Sequence, residues 1–257
     1  MTATRPTGSR RARPGRAVLA TETRLFLREP GSLFWILMFP TLLLVVLGLV
    51  PGFDEPSAEF GGVSFVAAYV PVSCLLAAIM AGVTAMPAVI SAYRERQVLR
   101  RIATTPARAA HVLGAQVALH AATVLVSVVL VLAVGRLAFG VPLPAALPAW
   151  ALSYLLALVA VFTIGALVSG TAPSSRAAST VGTVVFFPLM FTAGVWYPVS
   201  AMSGLVRDVV AATPTGAAAL ALDRAQAGEL PTLLQVLVVA GWAVVLAVLA
   251  VRCFRWQ

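Results

Sequence analysis

Lysine is missing from this sequence altogether: all 18 basic residues are arginine. A nucleotide-binding P-loop uses a lysine to reach the β- and γ-phosphates, so a standard Walker A site is excluded. Schiff-base chemistry on lysine is excluded by the same count. Cysteine is almost as scarce, with Cys74 and Cys253 far apart and neither in a CxxC pair; both read as small apolar residues. Charge of either sign is sparse. Only 11% of the 257 residues are charged and 60% are hydrophobic, whereas a soluble domain is about a quarter charged. The polar surface that would keep such a domain in water is not there.

Long uncharged runs take its place, from Gly31 to Phe53, Phe60 to Tyr93, Ala109 to Gly135, Leu137 to Ser175, Ala177 to Val206 and Leu230 to Val251. Each exceeds the roughly 20 helical residues that cross a bilayer. The second run is too long for one upright span and too short for two, so it reads as one span with an interfacial extension. Pro142, Pro144 and Pro148 suit a loop and delay the fourth span to about Trp150. The expectation is an all-α integral membrane protein with spans near 32–51, 64–90, 111–135, 149–171, 177–196 and 232–251. Continuous rather than alternating apolar runs exclude barrel strands.

Fifteen arginines fall on one side of these spans: seven before the first, five between the second and third, Arg176, and two after the sixth. The other side holds Arg136, Arg207 and Arg224 with six of the nine acids. The positive-inside rule therefore places both termini in the cytoplasm. Residues 1–15 read as a disordered basic tail drawn to anionic lipid, and 16–257 as a single six-span domain. "RAVLATETRLFLREPGSLFW", Arg16 to Trp35, mixes Val18, Leu19, Leu25 and Leu27 with Glu22, Arg24 and Arg28 before Pro30-Gly31 breaks it. That pattern suits an interfacial helix, with a plain extension of the first span as the alternative.

No Asp, Glu or Arg lies within the proposed spans, where ion-coupled carriers usually keep titratable groups. His111 and His120, nine residues apart, are separated by about 900° and so face opposite ways, which rules out a zinc pair on one helix. Neither an HExxH pattern nor a serine in a glycine-rich turn beside a histidine occurs, so catalysis in this chain is not expected. Gly165, Ser169, Gly170 and Gly182 permit close helix approach, and Pro71, Pro87 and Pro188 predict kinks.

Two segments depart from this pattern. "YRERQVLRRIATTP", Tyr93 to Pro106, carries four arginines within eight residues. As a helix it would place Val98, Leu99 and Ile102 within an arc of about 100°, with Arg96 and Arg100 opposite. Its roles are a topology anchor or a docking knob for a soluble partner, with Glu95 as the polar contact. The second segment, Tyr197 to Glu229, is long for a loop yet largely apolar. Pro198 and Pro214 divide it into helix-forming stretches, which predicts a re-entrant helical hairpin at the outer side before the last span.

In three places the sequence resembles the membrane subunits of type-2 ABC exporters, the daunorubicin-resistance and polysaccharide-export permeases. "LFLREPGSLFW" is similar to the family's elbow before span one, "RERQVLRRIATTPARAAHVLGAQ" to its coupling-helix segment, and "FTAGVWYPVSAM" to its glycine-aromatic-proline signature after span five. One departure is visible: where the family often has Gly-Thr or Gly-Ser after the acid-arginine pair, Gln97-Val98 follows Glu95-Arg96. The likeness covers nearly the whole chain and implies a permease in a bacterial cell membrane that exports cargo as a homodimer or heterodimer with a second permease copy. A separate ATPase subunit would bind ATP and magnesium, leaving this chain with no cofactor, no metal and no nucleic-acid partner. It further implies an ATPase-coupling set of Glu95, Arg96, Val98, Leu99 and Ile102, joined by Arg24, Arg28 and Glu29 of the elbow. The apolar lining, with aromatics such as Phe186 and with Phe187, Phe191, Trp196 and Tyr197 as path residues, suits a hydrophobic or amphipathic cargo such as a drug, antibiotic or lipid-like molecule. A non-transporting scaffold or immunity protein and a secondary carrier are the competing readings.

Overall fold

The computed structural model describes residues 14–98 and 109–253. Leu99 and Ile102, with Arg100, Arg101 and Arg108 and the tail up to Arg13, lie outside them. Besides two short 3-10 turns at Ala58–Phe60 and Val199–Ala201, and with no β structure apart from an isolated bridge between Pro56 and Ser64, the described residues form nine α-helical rods. In chain order these are α1 (Pro14–Phe26), α2 (Pro30–Gly48), α3 (Phe65–Glu95), α4 (Ala109–Phe139), α5 (Leu147–Thr171), α6 (Ser175–Thr192), α7 (Gly204–Ala211), α8 (Pro214–Gln226) and α9 (Leu233–Cys253). α2, α3, α4, α5 and α9 are each long and apolar enough to cross a membrane. α6 has 18 residues and opens on the polar Ser175, Arg176, Ser179 and Thr180. The chain is an all-α integral membrane protein.

Helix starts follow local chemistry. Ser64, Ser174 and Thr213 accept the first free amides of α3, α6 and α8, offsetting donors that a helix leaves unpaired. Pro30 and Pro214 open α2 and α8, where a missing N–H costs nothing. Inside helices proline acts differently, because its ring collides with the carbonyl four residues earlier. Pro40 and Pro87 each follow a widened π turn, Phe34–Met38 in α2 and Met80–Ala85 in α3, that moves this carbonyl aside. Pro71 and Pro188 are carried within α3 and α6.

α3 is the central element: its most apolar stretch is 89% buried, against 22% for those of α2 and α9. The outer helices turn their remaining faces outward, leaving Val126, Val129, Leu152, Val244 and Val248 exposed, as a bundle solvated by lipid requires.

The connections gather at two ends. At one, the α3 terminus meets the α5–α6 turn through Glu95 and Ser175, and α1 packs beside α4. At the other, Tyr69 donates to the Val195 carbonyl at 2.8 Å and Gln226 to that of Pro142 at 2.8 Å. The α7–α8 pair bends by 99°, and the indole of Trp242 donates to Ala212 at its tip at 2.9 Å. Trp242 lies nine residues into α9, so the tip reaches about 14 Å along that helix from its start. The other end of α8 returns to the α4–α5 loop, where Ala146 N–H donates to the Ala225 carbonyl.

Candidate functional site

α2, α3 and α6 enclose a cleft of about 810 Å³. Its wall is apolar or weakly polar, with Trp35, Ile36, Met80, Ala88, Phe186 and Phe187 opposite Thr84, Ser179 and Thr183. The widened turns bring Ile36 and Met80 to it, so the prolines that follow them shape the cavity. At its mouth are Glu29, Tyr93, Arg96 and Val98. One acid and one base therefore guard an otherwise uncharged space.

The sequence-derived residues divide on this geometry. Glu29, Arg96 and Val98 share the cleft mouth and Phe187 lies within it. Arg24 and Arg28 are exposed nearby, on α1 and on the turn that follows it. Phe191, Trp196 and Tyr197 are exposed further along α6 and in the turn after it, outside the described cleft lining.

The Tyr93–Ala107 stretch does not run as the single helix that periodicity suggested. α3 ends at Glu95, Gln97 has φ +54°, and a new helical residue begins at Val98. Glu95 and Arg96 thus belong to the end of α3, and the helix is interrupted at Gln97; the rest of the expected stretch, from Leu99 on, lies outside the described residues. Gln97 occupies a left-handed conformation that glycine adopts freely and other residues pay about 1–2 kcal/mol to enter. This is the place where the resembling family often has glycine. Gln97→Gly is expected to raise the thermal midpoint by roughly 2–4 °C, on the basis of about 1 kcal/mol in a chain of this size. Differential scanning fluorimetry checks it, and an unchanged or lower midpoint would show that the conformation costs nothing.

Glu95 is exposed, one turn beyond the apolar part of α3, and engaged within the chain. Its carboxylate accepts from Ser175 N–H at 3.0 Å and Ser175 Oγ–H at 2.8 Å, and these bonds hold it below its ordinary carboxylate range. Its neighbour Arg94 donates to the carbonyls of Ser169 (3.0 Å), Gly170 (3.3 Å) and Ala172. A cation there complements the negative end of the α5 dipole. The two side chains lock the end of α3 to both sides of the α5–α6 turn.

A polar cluster that sequence reasoning missed fixes the elbow. Glu22 on α1 is buried and accepts from Tyr93 Oη–H and from Gln116 Nε2–H, each at 2.7 Å. His120, fully buried, has Nδ1 2.8 Å from the Gln116 carbonyl and meets the edge of Phe26. The signal was present in the spacing: Val18, Glu22 and Phe26 recur every four residues, which places the acid on the packing face of α1.

The "FTAGVWYPVSAM" stretch forms the C-terminal turn of α6. Gly194 has φ +87°, and the Gly194 and Val195 amides bond back to Phe191 and Met190, a glycine-ended helix stop.

Comparison with known proteins adds one finding. Residues 15–219 match the family model described as ABC-2 type transporter, whereas no curated protein and no solved structure matches the chain. The matched span takes in the elbow, the cleft and most of the α7–α8 pair. With helices long enough to cross a membrane arranged around that cleft, the chain belongs to the ABC-2 type transporter family as its membrane-spanning permease component.

Proposed function

We propose that this permease exports a hydrophobic or amphipathic cargo and that the α2–α3–α6 cleft receives it. One observation carries the reading: Glu29, Arg96 and Val98, expected to couple to an ATPase, share a cavity with the path residue Phe187. Movement imposed at the mouth would then act directly on the wall. A volume of about 810 Å³ is within the range that holds a drug-sized ligand, and the scarcity of charge favours apolar cargo over an extended sugar chain.

Energy comes from a separate subunit that binds ATP and magnesium, since a chain without lysine carries no Walker A lysine. The arginine excess supports an orientation with both termini and the cleft mouth on the cytoplasmic side, and the membrane in this reading is a bacterial cell membrane. On that orientation the α7–α8 pair is an outer hairpin that enters and leaves the bilayer at one face. Val181, Val184, Phe187 and Phe191 expose a stripe along α6, and a second permease copy covers it and closes the cleft.

Two experiments test this. Purification of the tagged chain from its native membrane in mild detergent should bring down a soluble P-loop subunit, and the complex should hydrolyse ATP. If several gentle conditions yield the chain alone and inactive, the exporter reading fails and a scaffold role replaces it. Within the active complex, Phe187→Ala should raise the cargo concentration for half-maximal ATPase stimulation about 2- to 12-fold, on the basis of about 0.5–1.5 kcal/mol for an aromatic contact. Unchanged stimulation would remove the cargo from this cleft.

A further inference from the structure

A second cavity, of about 530 Å³, lies at the opposite end of the bundle. The Asp54–Ser64 connection covers it, and the end of α8 and the α4–α5 loop form its base. Its described charged lining residues are Asp54 and Asp223, and no arginine is among the lining residues. Asp223 accepts a hydrogen bond from Ser200. Among the described residues the neighbouring Arg224 is held elsewhere, paired with Glu229 at 2.8 Å, so the Asp223 carboxylate has no cation in ion-pair reach.

Phe60 and Phe139 add aromatic rings to the wall, and a ring face attracts a cation. The wider field agrees, since six of the nine acids and only three of the 18 arginines belong to this end.

We infer that this cavity binds an amphipathic organic ammonium ion, whose N–H groups donate to Asp223 while its apolar body rests against Phe60 and Phe139. A bare metal ion does not suit it. The volume is that of a drug-sized pocket, and no group of three metal-binding side chains occurs among the described residues. The inference rests on this cavity alone and does not require the opposite cleft to carry cargo.

The test uses the purified full chain without its ATPase and the fluorescent probe monodansylcadaverine, a naphthyl sulfonamide with a primary ammonium. Equilibrium dialysis against empty micelles should show saturable probe binding with one Asp223-dependent site per chain. Asp223→Asn, which keeps the shape, should weaken it at least about tenfold, and Phe60→Ala about threefold. N-acetylation of the probe, which removes its charge, should abolish saturable binding, while Phe187→Ala in the other cleft should leave it unchanged. Equal binding by Asp223→Asn and Phe60→Ala, equal binding of the acetylated probe, or loss of binding on Phe187→Ala would each overturn the assignment. So would the absence of saturable binding in the unaltered chain.

Discussion

Gly165→Ala is expected to lower the thermal midpoint by roughly 6–12 °C, and Gly165→Val to leave no monodisperse protein. The reason begins at Pro87, which has no N–H for the Val83 carbonyl and forces the π turn at Met80–Ala85. Carbonyl oxygens of that turn face the neighbouring helices at close range. A Cβ on Gly165 would collide with the Gly82 carbonyl oxygen, and one on Gly182 with that of Val83. Neither obstacle is a flexible side chain that can swing away, since both are backbone atoms of the most buried helix. Overpacking a core costs about 1–3 kcal/mol, and an obstruction by backbone belongs at the upper end, about 3 kcal/mol, or roughly 6–12 °C at this chain length. Gly114 is the internal control. A Cβ there meets nothing within 4 Å, so Gly114→Ala should raise the midpoint through helix propensity, about 1 kcal/mol. Thermal unfolding followed by near-ultraviolet circular dichroism compares the pair. Equal midpoints for the two alanine variants would mean that α3 and α5 do not approach as closely as the structure has them.

That junction marks where sequence reasoning stopped. The all-α membrane class was legible because charge is nearly absent and the apolar runs are continuous, both one-dimensional properties. The family was legible from three motifs in order, each of which proves to be a turn: Glu29-Pro30 between α1 and α2, Arg96-Gln97 after α3, and Gly194 after α6. The glycines of α5 and α6 were legible as places where helices approach closely, whereas what approaches them was not. Their role depends on a π turn in another helix, and no spacing within one helix reveals what faces it. Periodicity also gave no sign of the interruption at Gln97, because one left-handed residue ends a helix without altering the spacing of apolar side chains. Arg94 was counted among the topology-setting charges, yet its guanidinium caps α5. Charge counting treats every arginine alike and cannot distinguish one that faces solvent from one that closes a neighbouring helix.

Glu22→Ala is expected to detach α1 while the rest of the bundle stays folded. The carboxyl accepts from Tyr93 and Gln116 at 2.7 Å each; truncation leaves the buried Gln116 amide without its acceptor, whereas Tyr93, at the cleft mouth, can turn to water. An unsatisfied buried group costs about 1–3 kcal/mol, so the local loss is about 1–3 kcal/mol. α1 is 13 residues long, too short to hold its helical form without packing, and it docks largely on α4. Amide hydrogen exchange should therefore speed up across Val18–Phe26 while α3, α4 and α5 remain protected. Slow exchange in α1 would show that the cluster is not its anchor. A triple variant separates the chemistry from the contact. Glu22→Leu with Tyr93→Phe and Gln116→Leu removes the acceptor and both donors together, and an apolar set of similar volume is often as stable as the polar one it replaces. Protection of α1 should return in that variant. If it does, the hydrogen bonds do not add net stability, and what they supply is position: Glu22 and Tyr93 fix α1 against the end of α3, beside the Arg96 that borders the cleft. Coupling in the triple variant would then be the sensitive readout. An ATPase complex whose α1 is docked but free to slide should retain hydrolysis while losing its stimulation by cargo.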